Sequence, residues 1–258
     1  MAVKGICKAR NEAHIIRDTL DNWAQYCDAG IHVYCDGCTD ETPEICREHP
    51  AVVEVIESDY LDPDRERAEY FNRQQLLNSA RRFIGPRDWV AYFDADENLY
   101  DLDPVFLRNP LLRRICTPMY ETYVTPEDEH LEATQYRQRR WCGDEWEYSP
   151  MFFRNTPWIG FFRPDQRNME VGPPLKPAEN AMTAICRHWG KGISIGHWNQ
   201  KCVYYSTVFG PKYAEKWDHR RGKAVHTVSD FGRPLVLWDD LRAHRSTSIW
   251  RRDLELVS

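Results

Sequence analysis

Short apolar runs alternate with stretches of helical spacing through about the first 100 residues, and the fourth run, Trp89–Phe93, ends in Asp94-Ala95-Asp96. This alternation constrains the fold more than any other feature. Val3–Lys8 (VKGICK) reads as a buried strand. A helix follows from about Ala13 to Tyr26, with Ile16, Leu20, Trp23 and Cys27 recurring at helical spacing toward a sheet. Gly30–Cys35 is a second strand, and Asp36-Gly37-Cys38-Thr39-Asp40 has turn chemistry. Thr42-Pro43 starts a short helix, with proline in the first turn where its missing N–H costs nothing. Val52–Glu57 is a third strand, and Asp64–Phe83 a long helix with Ala68, Leu76, Ala80 and Phe83 facing inward. Strands alternating with helices imply an α/β fold, a three-layer sandwich around a mostly parallel sheet.

The acidic triplet closes the fourth strand. On extended backbone two acids at period 2 point the same way. Open α/β sheets bind ligands at the carboxyl ends of their strands. Hard cations such as Mg²⁺ and Mn²⁺ take oxygen ligands, commonly one or two carboxylates together with substrate phosphates. A metal–diphosphate site and a solvated turn both fit the triplet.

Three segments, in order, carry a resemblance. ICKARNE is similar to the first strand and loop of GT-A-fold glycosyltransferases near family 2. VYCDGCTDET is similar to their acidic Gly-Ser-Thr-Asp turn, and QQLLNSARRFIGPRDWVAYFDADE to the helix and strand leading into Asp-x-Asp-Glu. Cys35 replaces the first of two common acids, Cys38 the usual Ser, and Asn98 a frequent Phe.

The resemblance implies one GT-A domain over residues 1–258. About 1–100 would form a Rossmann-like nucleotide-sugar-binding half and about 101–258 an acceptor-binding half. It implies a UDP-sugar donor most readily, with Mn²⁺ or Mg²⁺. Asp36 would accept the N3–H of a uracil-like base; a turn-former beside Gly37 is the plain alternative. Ala9, Arg10, Glu12, Gln74 and Ala95 would line the donor pocket, and Arg10 could equally pair with a surface acid. Asp94 would touch ribose or metal, and Asp96 would ligate the metal. The cation offsets diphosphate charge as the sugar leaves. Glu97 has three readings: a support to the ligands, a catalytic acid, or a helix-start residue.

The second half should complete the site. Ile193–Tyr205 puts His197 just after a short β-like run. Related enzymes often carry a late His-aromatic pair, then Lys, then a helix with Lys/Arg-Gly. His197-Trp198, Lys201, Lys216 and Arg220-Arg221-Gly222 resemble that pattern. His197 would be a third metal ligand or a diphosphate contact, and Lys201 a phosphate contact. His188-Trp189 is the fallback pair, and a half-buried structural histidine the plain alternative. An inverting transfer needs a carboxylate to take the acceptor's proton. Asp144 and Glu145 are chosen because Trp141 and Trp146 flank them; Glu121 and Asp165 are rivals, and a retaining reaction stays open. Thr125–Glu132 and the Pro-rich 171–177 stretch are the candidate loops near the site.

Composition sets the remaining bounds. A chain of 258 residues with net charge −6 is no nonspecific nucleic-acid binder by charge. Arg137, Arg139 and Arg140, and likewise Arg220, Arg221 and Lys223, form local basic strips that read as solvated surface. Nine cysteines, an odd number scattered through the elements, suit buried thiols in a reducing compartment. Cys35 and Cys38 form a C-x-x-C that would need partners such as Cys46 and His49 to hold zinc. Met1-Ala2-Val3-Lys4 runs into the first strand without an apolar leader, and no run approaches ~20 apolar residues. The expectation is a cytoplasmic protein, with peripheral membrane contact open. A nucleotidyltransferase shares the sheet and acids but wants a Gly-rich loop after the first strand, which ICKARNE lacks. A non-catalytic nucleotide-sugar or glycan binder is the third class. The acceptor is a glycan by default, with protein, lipid carrier and a modified base in viral DNA as alternatives.

Overall fold

A computed structural model describes residues 1–58, 64–161, 170–171 and 179–244, with backbone alone at 66, 144–148, 170–171 and 212–213. These fall into two compact units: Met1–Thr117 with Tyr148–Ala184, and Pro118–Glu147 with Ile185–Ser258.

The first unit runs β1 (Val3–Ala9), α1 (Ile16–Ala24), β2 (Ile31–Asp36), α2 (Thr42–Glu48), β3 (Val52–Ser58), α3 (Arg65–Arg81), β4 (Trp89–Asp94), β5 (Glu97–Tyr100), α4 (Pro104–Arg108) and β6 (Arg114–Tyr123). It then takes in the end of β7 (Trp141–Arg154), with β8 (Ile159–Gly160), β9 (Glu170–Val171) and β10 (Asn180–Met182). Strands lie in the order β3-β2-β1-β4-β7. The first four are mutually parallel, and the end of β7 pairs antiparallel with β4. β2 is buried at every position, as a parallel strand covered on both faces must be.

Register shows what covers each face. Ile6 lies beside His32 and Tyr92, and Lys8 beside Tyr34 and Asp94. Ile6, Tyr34, Val90 and Tyr92 form one core cluster with Leu76, Leu77 and Ala80 of α3. The alternate residues face the other way. There Trp23 of α1 stacks on Phe93 at 4.2 Å between ring centroids. α1 packs against α2. One helix below and two above make the α/β/α sandwich anticipated from the sequence.

Of the inner positions predicted for α1, Ile16, Leu20, Trp23 and Cys27 are all buried. In α3, Ala68, Leu76 and Ala80 are buried, but Phe83 is 64% exposed. The helix ends at Arg81, so helical phase no longer aims Phe83 inward; it lies against Lys4 and Arg82 instead.

The second unit holds the end of β6, the start of β7, β11 (Ile185–Lys191), α5 (Ile195–Val208), α6 (Pro211–Asp218) and β12 (Val236–Leu237). β11 runs parallel to β6, with His188 opposite Glu121, and β12 pairs antiparallel with β7. Trp198 and Cys202 of α5 pack with Trp217 of α6 and Ala224. The β-like run expected before His197 is no strand: α5 starts at Ile195 and Ser194 caps it, its hydroxyl accepting from His197 N at 3.1 Å. The Ser-x-x-His spacing is a cap, and the strand lies one segment earlier, around His188. No helix among the described residues is long and apolar enough to cross a membrane.

Candidate functional site

The loops after β1 and β2 are stapled together. Asn11 takes a left-handed φ of 55°, a conformation asparagine tolerates. Its Oδ1 accepts from Thr39 N at 2.8 Å. Glu12 N donates to Thr42 Oγ1 at 2.8 Å, and Ala13 N to Asp40 at 3.1 Å. Arg10 donates to the carbonyls of Asp36 and Gly37 at 3.2 and 3.3 Å. Gly37 turns the chain after β2 with φ 59°. Arg10 thus braces the backbone of the second loop.

Beneath these loops an alternating chain of charge crosses the α3 face of the sheet. Arg65 pairs with Asp36. Asp36 meets Lys8 at 3.0 Å, and Lys8 meets Glu69 at 3.5 Å. Glu69 meets Arg73 at 3.3 Å, Arg73 Nε donates to the Tyr92 hydroxyl at 2.7 Å, and that hydroxyl donates to Asp94 Oδ1 at 3.1 Å. Three cations alternate with three acids, which limits the penalty of burying them. Burial opposes ionisation of Asp36, but Lys8 and Arg65 outweigh it and hold the carboxyl below its ordinary value.

The helix stripe explains how the sequence builds this. Arg65, Glu69 and Arg73 recur at i, i+4, i+8, and Leu76 and Ala80 continue the same face. The N-terminal turns of α3 meet the polar carboxyl ends of the strands, and its later turns meet the apolar middle. A charged stripe running into an apolar stripe is the local trace this leaves in the sequence, and by itself it reads as solvated helix charge. Lys8, Arg65, Glu69, Arg73 and Tyr92 are the residues that sequence reasoning missed.

Asp94 ends β4, and Ala95-Asp96 form a turn before β5. The period-2 argument for co-directed carboxylates therefore does not apply, since the backbone is not extended past Asp94. The turn is held another way. On α1, Thr19 donates to the Ala95 carbonyl and Trp23 Nε1 to the Glu97 carbonyl, both at 2.7 Å. Asn22 accepts from Leu99 N at 2.7 Å and donates to the Leu99 carbonyl at 3.0 Å. The Glu97 carboxylate accepts from Asp94 N at 2.9 Å, so Glu97 braces the turn. Asp94 is half-buried; Asp96 and Glu97 are buried. Burial drives the Cys7 thiol well up, and the fields of Asp94, Glu97 and Asp96 push the same way. A buried negative field made of oxygen donors fits a hard divalent cation.

Other donor candidates lie in this unit. Ala9 and Ala95 are buried, and Glu12 lies 3.5 Å from His14. The Gln74 side-chain oxygen is buried without a hydrogen-bond partner.

The second unit gathers its own charges. Glu121 lies 3.3 Å from His188 Nδ1 and 3.1 Å from Lys191 Nζ, and accepts from Lys191 N at 2.9 Å. Lys191 also meets Asp230 at 3.1 Å, which Arg220 pairs from the other side. Lys201 Nζ donates to the Gly190 carbonyl at 3.3 Å. A Cβ on Gly190 would lie 2.8 Å from His188 Nε2 and 2.9 Å from Lys201 Nζ, so glycine lets these groups converge. Burial opposes ionisation of Glu121, but His188, Lys191 and Lys201 together hold it far below the usual carboxylate range.

Asp144 and Glu145 lie on β7, and their side chains fall outside the described residues, as do Asp165 and the stretch 172–178. Thr125–Glu132 is pinned: Asp128 accepts from Thr125 N at 2.8 Å and pairs with Arg139 at 3.0 Å. Arg139, read as surface, is fully buried and also donates to the carbonyls of Leu131 and Gly192. Arg221 pairs with Asp218. All nine cysteines are free thiols. His49 is engaged at both ring nitrogens, by Asp21 and by Ala51 N, so it does not complete a zinc site with Cys35, Cys38 and Cys46.

No protein-family model matches the chain. An uncharacterized protein of Mycobacterium tuberculosis is 30% identical over 159 residues, covering 58% of this chain and 38% of that protein. The chain therefore spans well under half the length of this curated relative. Staphylococcus aureus TarS is 12% identical with a TM-score of 0.46, over 84% of this chain and 42% of TarS. Glucosyl-3-phosphoglycerate synthase from M. tuberculosis, solved with Mn²⁺, UDP and glucosyl-3-phosphoglycerate, is 17% identical with a TM-score of 0.31, over 46% of this chain and 44% of that one. The α/β class rests on the strand order and register described above.

Proposed function

We propose that this chain is a metal-dependent glycosyltransferase that moves a sugar from a nucleoside-diphosphate sugar, a uridine donor first, to a hydroxyl acceptor with inversion. One observation carries the reading. Asp36 ends β2 and the Asp94–Glu97 turn ends β4, on either side of β1. In the order β3-β2-β1-β4, with the helices after β1 and after β3 on opposite faces, this is the topological switch point where open α/β sheets bind ligands. The two acids are separated by two strand spacings, roughly 10 Å. A nucleoside can lie across the end of β1 between them.

Asp36 would read the base. Asp36 is covered by Lys8 and Arg65, so a base N–H would reach its carboxylate once one of these cations shifts aside. Ala9, Arg10, Glu12, Gln74 and Ala95 complete the proposed pocket. Asp94 and Asp96 would hold Mn²⁺ or Mg²⁺, which when bound supplies Lewis-acid help at the departing diphosphate. Glu97 keeps the turn in shape through the Asp94 backbone. His197 as a metal ligand, Lys201 as a phosphate contact, and Asp144 or Glu145 as the base belong to the proposal on the resemblance alone.

The test is release of free nucleotide from a panel of sugar nucleotides, with and without Mn²⁺. A transferase hydrolyses its donor slowly and only with metal. Consumption of nucleoside triphosphate would mark a nucleotidyltransferase, and no turnover a binding protein; either result overturns the proposal.

A further inference from the structure

We infer that Tyr92, oriented by Arg73, is a positioning residue that sets the cation affinity of Asp94. The inference rests on the proposed cation role of Asp94. Arginine can only donate, so the 2.7 Å contact from Arg73 Nε occupies the acceptor side of the Tyr92 hydroxyl. The phenolic proton is then directed to Asp94 Oδ1, 3.1 Å away. One oxygen of Asp94 is thereby fixed by the Tyr92 hydroxyl, which leaves the other to face a cation. Arg73 is held in turn by Glu69, one turn earlier on α3. Outer partners of metal-ligating carboxylates typically change metal affinity 10–100-fold when removed.

Tyr92→Phe tests this with little disturbance. The ring keeps its edge-on packing against Phe161, 5.3 Å between centroids, and only the hydroxyl is lost. Mn²⁺ dissociation constants are measured by electron paramagnetic resonance for the wild type, Tyr92→Phe, Asp94→Asn and Asp96→Ala, with circular dichroism to verify folding. The expected result is about tenfold weaker Mn²⁺ binding in Tyr92→Phe, and at least as large a loss in Asp94→Asn. Unchanged affinity in Tyr92→Phe, with loss in Asp96→Ala, overturns the inference and leaves the proposed function standing. A larger loss in Tyr92→Phe than in Asp94→Asn also overturns it, since the hydroxyl would then act other than through Asp94. Wild-type protein that binds no Mn²⁺ removes the proposed function and this inference together.

Discussion

Asp36→Asn separates the electrostatic account of the first unit from a merely decorative surface charge. Asp36 is buried between Lys8 and Arg65, whose side chains are 10% and 1% exposed. The substitution keeps shape and removes one negative charge from a row of three cations and three acids. Breaking a buried ion pair from one side costs about 3–5 kcal/mol. Lys8 retains Glu69 at 3.5 Å, which favours the lower end, about 3 kcal/mol. At ~2–4 °C per kcal/mol for a chain of this size, the midpoint should fall by about 6–12 °C at neutral pH. The sign of the pH dependence follows from the depressed carboxyl. Such a group contributes fully above its unfolded value of about 3.9 and loses that contribution as pH falls through the lower folded value. Urea unfolding of both proteins from pH 7 to pH 3 should therefore show a gap that is widest at neutral pH and closes in acid. A gap below about 1 kcal/mol at pH 7, the scale of an exposed pair, would refute the buried-network reasoning. So would a gap that does not change with pH.

Two other substitutions probe the supports of each unit. Trp23→Phe keeps an aromatic ring on Phe93 but removes the donor to the Glu97 carbonyl. It should cost about 1–3 kcal/mol, the penalty of a buried carbonyl left unpaired, read by thermal denaturation. Gly190→Ala would force a Cβ to within 2.8 Å of His188 Nε2 and should lower the melting temperature by an overpacking cost of about 1–3 kcal/mol. An unchanged melting temperature would mean that the His188–Glu121 pair yields freely.

Much of the first unit was legible in sequence because its signals are local. VKGICK, GIHVYC and WVAYF are apolar enough to be buried on both faces, and Ile16, Leu20 and Trp23 mark one helix stripe. Pro43 announced the start of α2. The site's supports were harder to read, since they arise from tertiary pairing. Arg65, Glu69 and Arg73 look like solvated helix charges until the strand ends beneath them are known. Asp94-Ala95-Asp96 looked extended because β4 is; the turn is imposed by Thr19, Asn22 and Trp23 from α1, more than 70 positions away in sequence. The run before His197 reads as β-like because Ile193-Ser194-Ile195 has strand composition, while Ser194 serves as a helix cap. Arg139 carries no local mark of burial; its carbonyl partners come from Asp128, Leu131 and Gly192.

In the proposed reaction, the carboxylates closing β4 bring a cation to the diphosphate of an activated sugar. Phosphorus-31 relaxation of UDP, titrated with Mn²⁺ in the presence of the protein, tests it most directly. Strong protein-dependent broadening of both phosphorus resonances is expected, lost when Asp96 is replaced by alanine in a folded variant. Broadening identical in wild type and Asp96→Ala, or no effect of the protein at all, would contradict it.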